Sequence, residues 1–149
     1  MFRPSGMKIY FVGGYHLTVY PEAALALAKE AAAKNKSEDI PTIAGHLANL
    51  PKANENRSRV VLVTQGSSPT VIAVSGTPGH KDIPVRKISA AEIIGTTGTG
   101  DAFAGGLLAG IVQQKSLETS VDMGNWLAHL GIQQVGPNYP LPRQSFTPV

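Results

Sequence analysis

The segment Gly95-Thr96-Thr97-Gly98-Thr99-Gly100-Asp101 gathers the residue types suited to holding and moving a phosphoryl group. Such a group spreads negative charge over several oxygens. It needs positive potential around them and a base beside the attacking hydroxyl. Gly95, Gly98 and Gly100 let backbone amides turn into one concavity without obstruction by side chains. Thr96, Thr97 and Thr99 add hydroxyl donors. An apolar stretch follows from about Ala102 to Gln113 and reads as a helix, whose positive end would face the loop. Asp101 stands at that helix start, where the dipole favours the ionised form, and an ionised carboxylate there can accept a proton. A plainer reading stays open, because acidic residues occupy first helical turns for dipole reasons alone.

Other signatures are excluded. No Gly-Lys-Ser/Thr follows the loop, so it is not a Walker loop, and Phe103 fills the place of the third glycine of a dinucleotide fingerprint. Gly105, Gly106 and Gly110 lie inside the helix. Each costs about 1 kcal/mol relative to alanine, so a close approach to a sheet or a ligand, or tight small-residue packing on the core, is expected.

The elements that must position this loop read as alternating α/β structure. Lys8 to Val12 is a short β-rich run ending at Gly13-Gly14. Tyr20-Pro21-Glu22 opens an Ala-rich helix to Lys36. Ile40, Ile43, Leu47 and Leu50 recur at helical spacing, and Pro51 marks the end of a second helix. Two helices joined near Lys36-Ser37 with no strand between them break the regular βαβ order. Arg59 to Thr64 is the strongest strand, apolar enough to be buried on both faces of a parallel sheet. Gln65 to Pro69 is a turn and Thr70 to Val74 a second strand, which together suggest a hairpin. Val85 to Ile88 reads as a short edge strand. Ser116 caps a last helix that runs to about Val135 before Gly136-Pro137. The proline-rich tail, Asn138 to Val149, reads as extended surface chain.

The 149 residues are 42% apolar and carry a net charge of +3, which suits one domain with a single core. Basic residues are scattered, without the stripe of a nucleic-acid binder. There is no cysteine, which excludes disulfides, thiolate metal ligands and a thiol nucleophile. The four histidines lie far apart, so no metal site is expected from them. No apolar run is long enough to span a membrane, and the N-terminus lacks the pattern of a secretion signal. These features point to a soluble intracellular chain; a cytoplasmic monomer, with the nucleus as a further compartment, is the expectation, though no residue pattern specifies it.

Gly98-Thr99-Gly100-Asp101-Ala102-Phe103-Ala104-Gly105-Gly106 resembles the second signature of the ribokinase-like (pfkB) carbohydrate kinases, Asp-Thr-x-Gly-Ala-Gly-Asp-Ala-Phe-x-Gly-Gly. Within that family the chain also resembles fungal-type adenosine kinases. It rests on Tyr10 to Thr18, Val61 to Gly66, Asp122 to Ala128 and Gly136 to Pro140, in order along the chain. The resemblance implies a three-layer α/β/α Rossmann-like sandwich, here partial, without the N-terminal half and lid. It implies ATP-dependent phosphorylation of adenosine with Mg²⁺ accompanying the nucleotide. By similarity Asp101 would be the general base, Gly98, Thr99 and Gly100 the anion hole, and Thr64 and Gly66 neighbours of ATP. Gly95 stands where the family has Asp, and Thr99 where it has Ala. The family's strand and Asn-x-x-Glu motif have no counterpart near residues 36–37, where an internal deletion is expected within one partial domain over 1–149. A nucleotide-binding remnant without turnover and another sugar kinase of the same family are the alternatives.

Overall fold

The computed structural model describes residues 39–51 and 54–148. The strand expected at Lys8–Val12, the helix expected at 21–36 and the join at 36–37 lie outside the described residues.

Helix α1, Ile40–Asn49, starts where Asp39 Oδ2 accepts the Thr42 amide at 2.9 Å. The expected face was centred on Ile43 and Leu47. Both are only partly buried, and the fully buried positions are Ala44 and Ala48. Their small side chains let the helix lie close on the sheet. Its C-terminus is capped by Arg59, whose guanidinium donates to the Leu47 and Leu50 carbonyls at 3.0 and 2.8 Å.

Among the described residues the sheet has three strands in the order β1 (Val60–Gln65), β2 (Ser68–Val74) and β3 (Lys81–Ile83). β1 and β2 form the expected hairpin, with Val60 opposite Val74 and Val63 opposite Val71. Gly66, at φ +63°, makes its turn. β1 is packed on both faces, Val61 and Val63 on one and Leu62 on the other, and no parallel neighbour of it lies among the described residues. β1 pairs antiparallel with β2, and Val60 and Thr64 are exposed. The edge strand also lies elsewhere. It is Lys81–Ile83, antiparallel to β2, and it stops before Pro84, which has no amide to continue a ladder. Residues 85–88 form no strand.

Three layers result. Val61, Val63, Val71 and Ala73 face α1 with Ala44 and Ala48. The alternate residues Leu62, Ile72 and Val74 face the opposite core with Ile83, Phe103 and Val121. That second core belongs to α2 (Thr99–Val112) and α3 (Leu117–Ile132), which pack on each other. The two-residue period of the strands thus feeds one core on each side of the sheet. α3 begins at Ser116, whose hydroxyl accepts the Thr119 amide, and ends at Ile132, three residues before the expected stop at Val135.

Candidate functional site

The chain reaches the Gly/Thr loop along α3. After β3, the Pro84 carbonyl accepts from Asn125 Nδ2 at 3.4 Å. Further on, the Ile94 and Gly95 amides both donate to the Ile132 carbonyl, at 3.0 and 3.2 Å. Thr99 then closes a turn onto the Thr96 carbonyl at 3.2 Å. Gly98 caps α2 at φ 81°, a left-handed conformation that explains the glycine. An added Cβ there would also meet Pro137 at 3.3 Å. The helix therefore starts at Thr99, three residues ahead of the start read from apolar periodicity. Periodicity cannot see a helix whose first turn is Thr-Gly-Asp.

Gly98, Thr99, Gly100 and Asp101 are thereby brought into one cap and first turn. The Thr99 amide is engaged, and the Gly98 carbonyl accepts the Ala102 amide at 2.8 Å. The Gly100 and Asp101 amides have no partner among the described residues, as befits the open end of a helix. The Thr99 hydroxyl is buried and likewise has no partner. Asp101 is exposed, so its carboxylate is open to an incoming group. Two amides, an unsatisfied hydroxyl and a carboxylate at the positive end of a 14-residue helix can bind an anion and hold a proton beside it.

The glycines of α2 have separate reasons. A Cβ on Gly106 would collide with the Met123 carbonyl, and one on Gly110 would sit 2.6 Å from Ser120 Oγ. Both serve the close approach of α3 rather than of the sheet or a ligand. From the other helix, Gly124 admits the ring of Phe103, 2.8 Å from where its Cβ would be. This seam fixes where the mouth of α2 stands. Gly105 is exposed and meets only Leu127 at 3.8 Å.

Thr64 and Gly66 are exposed at the β1–β2 hairpin. No hydrogen bond among the described residues joins them to the Gly/Thr loop. Sequence reading missed Arg86. It donates to Asp122 at 3.4 Å and to the Thr147 carbonyl at 2.6 Å, and stacks 5.9 Å from the centre of the Phe146 ring. The tail is therefore not simply extended surface chain, because Phe146 also meets Trp126 edge-on at 5.8 Å. No local motif marks this contact, since its members come from three distant segments.

Residues 20–144 match the model of the pfkB family of carbohydrate kinases. The chain belongs to that family. This pfkB-family chain is 32% identical over 184 residues to the adenosine kinase of Saccharomyces cerevisiae, covering 94% of the chain and 54% of that relative. It is 31% identical over 186 residues to the adenosine kinase of Schizosaccharomyces pombe, covering 93% and 54%. Among solved structures, Anopheles gambiae adenosine kinase in complex with P1,P4-di(adenosine-5) tetraphosphate superposes with a TM-score of 0.69 at 39% identity. The match covers 76% of this chain and 33% of that one. The chain thus spans about half the length of the curated relatives it matches. Its partial α/β/α architecture is that of the ribokinase-like kinases.

Proposed function

We propose that this chain carries the phosphoryl-transfer half of an adenosine-kinase-like enzyme, converting ATP and adenosine to ADP and AMP in purine salvage. The observation that supports it is the mouth of α2, with two amides and a buried hydroxyl that have no partner among the described residues and one exposed carboxylate, all within three residues. In this reading Asp101 accepts the proton of the nucleoside 5′-hydroxyl as its oxygen attacks the γ-phosphorus and ADP leaves. The Gly98–Gly100 turn and the Thr99 hydroxyl stabilise the charge on the transferring oxygens. Thr64 and Gly66, on the hairpin, are proposed to lie beside ATP. Among the described residues no three His, Asp or Glu side chains form a cation site. Mg²⁺ would accompany the nucleotide phosphates, where it supplies charge neutralisation.

The likeness to relatives 54% covered supports one partial pfkB domain over 1–149 with an internal deletion near 36–37. Alignments of 184 and 186 positions against a chain of 149 residues favour such a gap. The same observation favours a second reading, a remnant that binds nucleotide without turnover. A third reading, another sugar kinase, is less supported by relatives called adenosine kinases. We place the chain in the cytoplasm and nucleus as a monomer. Among the described residues no helix is long and apolar enough to cross a membrane.

The test is AMP formation from adenosine and Mg-ATP by the pure protein beside Asp101→Asn. The proposal expects AMP from the parent and a rate lower by roughly 10²–10⁴-fold in the variant. Equal rates from both would remove Asp101 from the base role. ATP binding without AMP from either protein would establish the remnant.

A further inference from the structure

The connection from β3 to the Gly/Thr loop runs along one side of α3. Pro84 is held by Asn125, Arg86 by Asp122, and Ile94 and Gly95 by the Ile132 carbonyl. The opposite side of α3 packs on α2 through Gly106 and Gly110. The C-terminal segment 144–148 crosses the first side. Phe146 lies against Trp126 of α3 and under the Arg86 guanidinium, and the Thr147 carbonyl accepts from the same guanidinium. One planar cation therefore ties the connection, α3 and the tail together. Its partner Asp122 is largely buried, so the pair is not a screened surface contact.

We propose that residues 144–148 are a strap latched by Arg86, and that the latch holds the connection that delivers the Gly/Thr loop to the mouth of α2. Arg86 is then a positioning residue for that loop. A lysine cannot replace it: both hydrogen bonds leave one nitrogen, Nη2, which an ammonium could imitate, but an ammonium has no flat face to lay over the Phe146 ring while it donates. This inference goes beyond the phosphotransferase reading and is tested without nucleotide, so the two stand or fall separately.

Trp126 is the chain's one tryptophan, so its emission reports on the strap. Amide exchange at Ile94 and Gly95 reports on the connection. The variants are Arg86→Ala, Arg86→Lys, Phe146→Ala and a chain ending at Arg143, each compared with the parent. Each should red-shift Trp126 emission and raise exchange at Ile94 and Gly95 several-fold while leaving the β2 amides protected. Arg86→Lys should fail to restore either readout. A Trp126 shift with unchanged exchange at Ile94 and Gly95 would overturn the positioning role. So would restoration by lysine, the absence of any shift, or equal acceleration in β2 in both Arg86→Ala and Phe146→Ala.

Discussion

The Thr70 hydroxyl donates to Asn125 Oδ1 at 2.9 Å, joining β2 to α3 through two side chains buried between sheet and helix. Asn125 also donates to the Pro84 carbonyl, so both ends of its amide are in use. Thr70→Val keeps the shape and leaves the Asn125 oxygen without its donor. It should cost about 1–3 kcal/mol in urea unfolding, while Thr70→Ser should retain most of the stability.

Arg59 ends α1 by donating to the Leu47, Leu50 and Pro51 carbonyls. The Leu47 and Leu50 carbonyls would otherwise be orphan acceptors at the helix C-terminus. Arg59→Ala should lower stability by about 1–2 kcal/mol, with Arg59→Lys recovering only part, as measured by thermal and denaturant melts.

The glycines of α2 should respond in opposite directions. Gly106→Ala drives a methyl into the backbone of Met123 and Gly124, and should cost about 1–3 kcal/mol or more. Gly105→Ala meets only the end of Leu127 and should stabilise by up to about 1 kcal/mol. Paired denaturant curves separate the two.

Thr99→Val removes a buried hydroxyl that has no partner among the described residues. The free protein should be unchanged or more stable by about 1 kcal/mol. If the hydroxyl serves a bound phosphate, the same variant should bind Mg-ATP more weakly. Melting temperature and calorimetric affinity should then move in opposite senses.

His129 is held below its ordinary value of 6.5, first by burial and then by the Arg86 charge, with Glu92 opposing. The folded state therefore keeps the imidazole neutral where the unfolded chain takes up a proton. This stability is fully present above about pH 6.5 and is lost as pH falls below it. His129→Gln should flatten the fall in melting temperature between neutral pH and about pH 5.

The glycine-threonine loop, the hairpin and the helix at Ile40–Asn49 were legible because their signals are local. Periodicity, a Gly/Ser/Pro turn between two β-branched runs and a proline stop need no knowledge of distant residues, although the turn is two residues long where Gln65 to Pro69 was expected. The parts that were misread depend on such knowledge. The edge strand lies at Lys81–Ile83 because β2 offers partners there, although Val85 to Ile88 is the more apolar run. Gly106 and Gly110 look the same as Gly105 in sequence, and only the position of α3 distinguishes them. The mouth of α2 was legible in composition, but not the burial of the Thr99 hydroxyl.

β2 offers apolar side chains to both of its faces, Val71 and Ala73 on one and Ile72 and Val74 on the other. Hydrophobic patterning alone would barely object if this strand slid by one residue along its neighbours. Thr70 objects, since a slip would leave Asn125 facing Pro69 or Val71, neither of which has a side-chain donor. One hydroxyl thus works as an index mark, choosing between two alignments that the greasy residues would accept almost equally.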